Sequence, residues 1–533
     1  TESQVLVDEY IEHFLSATPI PGIGKEFAIA KELLPAISIE ELNMLAKSTI
    51  NEPNLFLYVT GPEPSSDQPL PTEQQLLAIV AEKEKMQLTA YEEKEVASSL
   101  LATALTAGKV IKREEDKAMG LTRLTLSNGV TVSLKSTDFK ADQILMGAVK
   151  NGGKNLYGVE DKFNVQFATQ IVSAMGVGTF SPPDLKKALA GKTVSLSPSI
   201  SEVTDGFSGS SGNKDIETLL QLVHLYMTAP RKDTALFNAY LQRSIAQYAA
   251  LSSNPQAAFL DTVNSVLYNR NPLAPIVFPK VENFQAIKLD RALDIYRERL
   301  GDASGMHFAF VGSFNEQELI PLLETYLGSL PTSGRKYEKE DNQVRPVKGQ
   351  QELVFRRGQE AKSLILRFYT GEIPYSEDLD LKAQAIVEIL NIRVLEELRE
   401  KIQGIYGGGF FAELSKYPYP AYSIVLQLPC GPEKVDTLLK AVNAEIDLLV
   451  KKGPAPSYLD KVKKQWLEQY RVNKTENSVW LSEIMAQHSE QKDPKYFLQY
   501  ESLVNRLTVG DIQAAAKKFF DGKNQFTAIQ LPQ

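Results

Sequence analysis

The stretch KLDRALDIYRERLGDASGMHFAFVG, residues 288–312, combines a helix that begins with an acidic residue, a loop and an apolar run. The same pattern occurs as ISIEELNMLAKSTINEPNLFLYVTG at residues 37–61 and as LTVGDIQAAAKKFFDGKNQFTAIQ at residues 507–530. An acid in the first turn favours the positive end of a helix dipole, and an alternating apolar run suits a half-buried strand. Three copies of one pattern indicate repeat architecture with three domain ends.

A second pattern precedes the last two copies. It reads GNKDIETLLQLVHLYM at residues 212–227 and GPEKVDTLLKAVNAEIDLLV at residues 431–450, and each copy follows an alternating apolar segment. Both copies begin at a glycine, share a lysine and a Thr-Leu-Leu, and continue with the apolar spacing of a helix. The sequence therefore predicts two related α+β domains, at residues 119–333 and 350–533.

The connections between these domains have their own composition. Residues 62–118 begin PEPSSDQPLP and continue into charged segments, which is typical of a linker, and residues 89–108 are helix-prone. Residues 334–349 form a second, shorter linker. In LTLSNGVTVSL, residues 124–134, the pair Asn128-Gly129 separates two alternating runs and predicts a β-hairpin near the start of the first complete domain. Residues 1–61 are then the end of a further domain.

Composition narrows the class of protein. The chain has 533 residues, of which 43% are hydrophobic and 23% charged, and 58 basic residues stand against 66 acidic ones for a net charge of −8. This balance offers no footprint for nucleic acid or an anionic membrane. No apolar run approaches the roughly 20 residues that span a bilayer, so we expect no membrane segment. Cys430 is the only cysteine, which excludes an internal disulfide. Because the chain begins with Thr1, we expect a fragment.

Two similar α+β domains in tandem, the hairpin, the long connector and the sequence LREKIQGIYGGG at residues 398–409 resemble the pitrilysin/insulinase zinc peptidases. The resemblance is greatest to large bacterial members, in which four homologous domains form two halves that close on a peptide. It implies a processing-peptidase-like fold, with a mostly antiparallel sheet packed against helices in each domain. Residues 1–61 would end the second domain, residues 62–118 would join the halves, and the third and fourth domains would follow.

The family binds zinc through an H-x-x-E-H motif in its first domain. This chain has no such motif, and its four histidines, at 13, 224, 307 and 488, are far apart. The corresponding stretch of the third domain is GKNLYGVEDKFNVQF, residues 153–167, where we expect Glu160 and Asp161 to form a solvated helix start; a hard-cation site is the alternative. The resemblance therefore implies a zinc ion in the missing N-terminal half, no metal in this fragment, and no peptide hydrolysis by the fragment alone.

Resemblance also places two functional residues in the fourth domain, Arg399 and Tyr406, which would contact substrate backbone and the developing oxyanion. A helix over about residues 378–403, ended by Gly404, puts Arg399 in its last turn. A guanidinium and a phenol suit a carbonyl oxygen that gains negative charge. In the structural alternative, Arg399 complements the helix dipole, Tyr406 packs at a domain edge, and residues 407–409 form a turn.

Two functions remain open at this point. The first is the C-terminal half of a zinc endopeptidase, which supplies chamber wall and substrate grip, with peptides or small unfolded proteins as substrates and the N-terminal half of its own chain as partner. Resemblance to bacterial members implies a periplasmic or otherwise exported protein. The second is a non-catalytic homologue that serves as a binding or assembly subunit. We expect His224 and His307 to be hydrogen-bonded core residues, and YPYPAY at residues 417–422 to be a rigid aromatic loop that could also line the chamber.

Overall fold

The structure is a computed structural model that describes residues 3–49, 56–59, 70–87, 99–251, 253–402, 404–405 and 407–533. The chain divides into two compact units, unit 1 at residues 1–93 and unit 2 at residues 94–533.

The described residues of unit 1 form four α-helices: α1 (Ser3–Ser16), α2 (Ile23–Leu33), α3 (Ile39–Thr49) and α4 (Glu73–Glu84). Thr72 and Gln75 form a capping box at the start of α4. The strand predicted at the end of the first repeat is absent at residues 56–59, the part of that stretch which the structure describes. A strand forms only against a partner strand, and the described residues of unit 1 contain no strand that could serve as one.

In the first part of unit 2, the third domain of the sequence analysis, the described residues form seven strands and eight α-helices. The strands are β1 (Val110–Asp116), β2 (Leu121–Leu126), β3 (Thr131–Ser136), β4 (Ile144–Asn151), β5 (Val194–Ile200), β6 (Thr204–Ser211) and β7 (His307–Gly312). The helices are α5 (Lys162–Met175), α6 (Pro182–Ala188), α7 (Ile216–Thr228), α8 (Thr234–Leu251), α9 (Pro255–Leu267), α10 (Val281–Gln285), α11 (Leu289–Leu300) and α12 (Glu316–Tyr326).

The second part, the fourth domain, contains five strands and seven α-helices. The strands are β8 (Gln350–Arg356), β9 (Ser363–Glu372), β10 (Gly409–Ser415), β11 (Ala421–Cys430) and β12 (Gln525–Leu531). The helices are α13 (Glu377–Val394), α14 (Val435–Lys452), α15 (Pro456–Asn473), α16 (Asn477–Ser489), α17 (Lys495–Leu498), α18 (Tyr500–Arg506) and α19 (Val509–Phe519). Across the described ranges of the whole chain, no helix combines the length and the apolar character that crossing a membrane requires.

Both domains use the same sheet. Sheet A has the order β1-β2-β3-β7-β4-β6-β5, and sheet B has the order β10-β11-β9-β12-β8. Read from β3 and from β8, the five strands follow one pattern: one parallel pair, β3–β7 or β8–β12, and then three antiparallel pairs. The predicted fold class is therefore confirmed: two homologous α+β domains in tandem, each with a mostly antiparallel sheet packed against helices.

The predicted hairpin is the antiparallel pair β2–β3, and Gly129 in its turn has a φ of 86°, which glycine adopts without strain. Sheet A nevertheless begins earlier than the hairpin. The charged residues 110–116, predicted to belong to the linker, form edge strand β1 against β2. Residues 99–108, the described part of the helix-prone stretch, contain no helix. This edge strand resembles a linker in composition because its five central residues are all exposed, so that both of its faces and its outer edge meet water.

The two domains exchange helices. Helix α9 of the third domain packs Phe259, Val263 and Leu267 against the outer face of sheet B. In return, α16 of the fourth domain covers the outer face of sheet A, where Ile484 joins a buried cluster with Val311. The outer face of each sheet is thus covered by a helix of the other domain. Because both exchanges bury apolar side chains, the two domains form one unit.

The segment at residues 334–349 has neither helix nor strand, as expected of a linker, yet its side chains and backbone are tied to the third domain. The Asn342 side-chain amide donates to Asn155 at 2.9 Å, and the Val347 amide donates to the carbonyl of Leu267 at 2.7 Å.

Candidate functional site

The predicted helix that carries Arg399 is present, but its last turns differ from an α-helix. Helix α13 ends at Val394, and a π-helical segment continues it over Leu395–Lys401. At its end, the amide of Ile402 donates to the carbonyl of Glu397 at 3.0 Å, a step of five residues. Such π-helical turns occur frequently at functional sites.

Arg399 lies in the last turn of this π-helical segment, as predicted. Its side chain is 56% exposed, and the nearest carboxylate oxygen, on Glu400, lies 4.0 Å from Nε, at the limit of an ion pair. A guanidinium so weakly engaged retains donors for a ligand. Its role in substrate contact stays a prediction.

Tyr406 lies outside the described residues, but the structure describes the backbone on both sides. Where the family pattern leads us to expect a glycine before this tyrosine, Ile405 is buried and forms a bridge to Cys430 at the end of β11. Gly408 has a φ of 98°, and a Cβ there would lie 2.2 Å from the carbonyl oxygen of Gln427. The loop therefore follows sheet B closely before β10 begins.

Asn391 fixes the far end of this loop. Its side-chain amide on α13 donates to the carbonyl of Phe410 at 3.0 Å and accepts from the amide of Phe410 at 2.6 Å. A Cβ on Gly409 would lie 2.5 Å from the same side-chain oxygen, so glycine permits the approach. Helix α13 thus supports both the Arg399 segment and the start of β10.

Arg393 is a residue that the sequence reasoning missed. It donates to Glu445 from Nε and Nη2, both at 2.8 Å, and also bonds Glu396, Glu397 and the hydroxyl of Tyr458. The hydrogen bonds with Glu445 raise the pKa of its guanidinium. The spacing to Glu396 and Glu397 is visible in the sequence, whereas Glu445 and Tyr458 are distant along the chain. Arg393 therefore ties the π-helical segment to α14 and α15.

The stretch that corresponds to the family's zinc motif holds an ion pair. Arg291 on α11 donates to both carboxylate oxygens of Asp161, from Nε at 3.1 and 3.0 Å and from Nη2 at 2.7 Å. These bonds hold the pKa of Asp161 below its usual range. Asn164 adds a further donor at 3.1 Å. Glu160 is exposed, as expected of a solvated helix start, but Asp161 is engaged by arginine, which does not fit a cation site.

The histidines also have structural partners. His224 is half-buried and lies 3.3 Å from the Thr228 hydroxyl, and His307 is buried on β7 with Nδ1 2.9 Å from the Thr131 hydroxyl. His307 stacks on His488 of α16 at 4.3 Å between ring centroids. Within the described ranges, no three His, Cys, Asp or Glu side chains come together as a metal site would require. The described residues therefore do not fit a zinc ion.

The aromatic loop at residues 417–422 lines a cleft of about 470 Å³ between the two domains of unit 2. Tyr417 and Tyr419 face residues of the third domain across it, including Asn155 and Tyr268. Each ring makes a cation–π contact: Lys339 lies 3.7 Å from the Tyr417 ring centroid, and Arg345 lies 3.4 Å from the Tyr419 ring centroid. The bond preceding Pro418 is cis.

Unit 2 is thus a pair of α+β domains that share one five-strand topology. Residues 286–466 match the family model described as the peptidase M16 inactive domain. The predicted relationship to the pitrilysin-type zinc peptidases is confirmed by this match and by the relatives below.

The chain is 23% identical over 550 residues to a protein of Arabidopsis thaliana named zinc protease PQQL-like, covering 100% of this chain and 53% of that protein. It is 24% identical over 463 residues to the probable zinc protease PqqL of Escherichia coli, covering 83% of this chain and 48% of that one. The chain thus spans about half the length of the curated relatives it matches.

Two solved structures share the fold over the whole chain. The periplasmic protease PqqL from Escherichia coli gives a TM-score of 0.72 at 19% identity, and 59% of its chain is covered. A mutant of the ferredoxin protease FusC, solved in complex with Arabidopsis ferredoxin, gives 0.75 at 18% identity, with 58% covered.

Proposed function

We propose that this chain is the C-terminal half of a zinc metalloendopeptidase and forms the wall and substrate-gripping surface of a chamber in which peptides are hydrolysed. One observation carries the proposal: 100% of the chain aligns with 53% of a protein named a zinc protease, and 98% aligns with 56% of another from Haemophilus influenzae. A region that matches half of such proteins without a zinc motif of its own fits the half that does not hold the metal.

The zinc ligands of the whole protein are placed upstream of this chain. No H-x-x-E-H sequence occurs in the 533 residues. At the corresponding position of the third domain, Asp161 and Asn164 are engaged in a network with Arg291. The chain alone is therefore expected to hydrolyse no peptide. A zinc ion bound in the upstream half would act as the Lewis acid of the reaction and would activate the attacking water.

Arg399 and Tyr406 are the proposed substrate contacts. The exposed guanidinium of Arg399 offers several donors to a peptide carbonyl, and a phenol offers one more. Donors that are held in place before the reaction stabilise the negative charge that develops on a carbonyl oxygen. Arg393, near the end of α13, holds the π-helical segment through its bonds and thereby orients Arg399, which lies six residues later in the chain.

The surface of unit 1 supports a partner from the same chain. Helices α1, α2 and α3 contain no buried residue, and their large apolar side chains include Phe14 at 86%, Phe27 at 68% and Leu45 at 64% exposure. Exposed apolar surface of this extent marks an interaction site. We place the upstream half of the protein against it, so that residues 1–61 complete a second domain.

The setting of the reaction follows from the relatives and is part of the proposal. The Escherichia coli PqqL structure is described as that of a periplasmic protease, and FusC was solved with a protein, ferredoxin. A periplasmic or exported bacterial location and peptide or small unfolded protein substrates are consistent with both.

The test uses the full-length protein with a fluorogenic peptide. Arg399→Ala is expected to lower kcat/KM by about 100-fold and Tyr406→Phe by about 10-fold, because each removes a donor to the developing charge. Arg471→Ala is the matched control, since Arg471 is also an exposed helical arginine with a neighbouring glutamate and should leave kcat/KM unchanged. Wild-type kcat/KM in both site variants would remove the assigned roles.

The alternative, a non-catalytic binding or assembly subunit, makes a different prediction about the upstream half. A protein of that kind would lack H-x-x-E-H there, and its full-length form would hydrolyse no peptide. Sequencing of the upstream region separates the two functions directly.

A further inference from the structure

The fourth domain contains a cavity of about 600 Å³ that the proposed function leaves unused. It lies among α13, α15 and α16 and the short helices α17 and α18, and it does not include Arg399. The volume falls within the range of about 300 to 1,000 Å³ that is usual for ligand pockets.

The charge of its walls is one-sided. Its acidic lining residues are Glu377, Asp380, Glu388, Glu483 and Glu490. Among the described residues that line the cavity, the only basic side chain is that of Lys492, whose Nζ lies 3.0 Å from Glu483. The lining therefore carries five carboxylates against one ammonium group, while Lys416, outside the lining, donates to the carbonyl of Glu490 at 2.8 Å.

One of these carboxylates, that of Glu377, lacks a partner on one oxygen, whereas Asp380 accepts a bond from the Gln384 side-chain amide at 3.3 Å. Glu377 accepts one bond from the amide of Asp493 at 3.3 Å, while its Oε2 is buried with no hydrogen-bond partner. Burial raises the pKa of Glu377 and that of Asp380, and the neighbouring Glu483 adds to the effect on Glu377. A carboxylate oxygen buried without a partner is costly, which favours neutralisation of this group by a proton or a nearby cation.

Aromatic rings also line the cavity. The rings of Trp466, Tyr470, Phe497 and Tyr500 line the cavity and contact one another, with Tyr470 and Tyr500 5.1 Å apart between centroids. Burial, with the nearby charges of Asp380 and Glu388, raises the pKa of Tyr500 to about 12. Aromatic faces attract organic cations through their negative electrostatic potential, and the neighbouring carboxylates strengthen that attraction.

The spacing of the carboxylates distinguishes an organic cation from a metal ion. A hard divalent cation requires several oxygen ligands at about 2.0 to 2.6 Å from one point. In the part of the chain that the structure describes, no three acidic or histidine side chains come close enough to form such a group. Carboxylates spread over α13 and α16, with aromatic rings beside them, suit an extended, delocalised cation.

We propose that this cavity binds a basic side chain of a peptide, with its guanidinium or ammonium group between the carboxylates of α13 and α16 and the rings of α15 and α18. The choice of a peptide as the source of the cation rests on the proposed function, whereas binding itself needs neither zinc nor hydrolysis. The cavity would then favour segments of substrate that carry arginine or lysine.

The experiment titrates the 533-residue chain with an acetylated and amidated pentapeptide, Gly-Gly-Arg-Gly-Gly, and with the same peptide containing uncharged citrulline in place of arginine. Calorimetry and the fluorescence of Trp466, which lines the cavity, report binding. We expect saturable binding of the arginine peptide and at least about tenfold weaker binding of the citrulline peptide. Glu388→Gln should weaken binding of the arginine peptide to a similar extent.

Asp447→Asn is the control variant, because Asp447 is an exposed acid on α14 that pairs with Lys451 outside the cavity; its affinity for the peptide should equal that of wild type. Equal affinity for the two peptides, or equal losses in Glu388→Gln and Asp447→Asn, would overturn the proposal. Tighter binding of 1,4-diaminobutane than of the arginine peptide would overturn the peptide as occupant. The peptide comparison uses wild-type protein and does not depend on how Glu388→Gln folds. These binding results do not depend on the kcat/KM of the Arg399 variants, so the two proposals can fail separately.

Discussion

Acidification is expected to weaken unit 2 through His307. Its ring is 4% exposed on β7, its Nδ1 lies 2.9 Å from the Thr131 hydroxyl, and its Nε2 is buried with no hydrogen-bond partner. Burial lowers the pKa of His307 to about 3, and the nearby His488 and Arg123 contribute to the lowering. Because the folded pKa lies below the unfolded value of about 6.5, the stabilisation is complete above about pH 6.5 and is lost as the pH falls towards 3.

The magnitude follows from the two pKa values. At about pH 7.5 this histidine is neutral in both the unfolded and the folded chain. At about pH 5, which is about 1.5 units below the unfolded pKa, the unfolded chain has bound a proton on it and the folded chain has not. At about 1.4 kcal/mol per unit, the free energy of unfolding falls by about 2 kcal/mol from this residue alone.

Urea denaturation at both pH values, followed by tryptophan fluorescence, measures the effect on unit 2, because both tryptophans, Trp466 and Trp480, lie there. His307→Gln removes the titration, so its free energy of unfolding should fall by about 2 kcal/mol less than that of wild type. Other groups, such as Asp205 with its pKa raised by burial to about 6, titrate in both proteins and cancel in the difference. Equal losses in the two proteins would refute the reasoning.

Two further predictions concern the segment around the proposed contacts. Gly408→Ala should destabilise the protein by about 2 kcal/mol or more in urea denaturation, because φ is 98° and the new Cβ would meet the Gln427 carbonyl. Gly407→Ala is the control and should have little effect, because nothing lies within 4 Å of a Cβ there. Equal effects of the two substitutions would contradict the assigned strain. Arg393→Ala should cost about 2 kcal/mol in the same assay, because Glu445, whose side chain is 13% exposed, loses both bonds; a loss below about 0.5 kcal/mol would show that Arg393 does not hold this segment.

The tandem fold could be predicted from the sequence because its signals are local and occur twice. The Asn128-Gly129 turn, the glycines a few residues before α7 and α14, and the alternating runs each specify one element from neighbouring residues. Two copies of these elements in one order then predict two domains of one topology, which the common five-strand order confirms. The linker assignment failed at β1, because a charged edge strand and a linker have the same composition.

Long-range packing could not be read from the sequence. The exchange of α9 and α16 between the domains depends on outer sheet faces whose apolar residues, such as Val311, look like ordinary strand residues. The strand predicted at the end of the repeat at residues 37–61 had the correct pattern, but the described residues 56–59 have no strand to pair with among the described residues of unit 1. Pattern alone cannot supply a partner.

The candidate site shows the same division. The helix that carries Arg399 and the position of that residue in the last turn follow from apolar spacing and Gly404, both of which are local. The π-helical hydrogen bonds and the bonds from Arg393 to Glu445 and Tyr458 bring together residues that are distant in sequence. No periodicity predicts such contacts.

The central claim, that this chain supplies substrate contacts while the zinc ligands lie upstream, is tested most directly by measuring zinc content and peptide hydrolysis together in the 533-residue chain and in the full-length protein. After exhaustive dialysis, the account predicts one equivalent of zinc and chelator-sensitive hydrolysis in the full-length protein, and neither in the chain. A full equivalent of zinc retained by the chain, or chelator-sensitive peptide hydrolysis by it alone, would contradict the account.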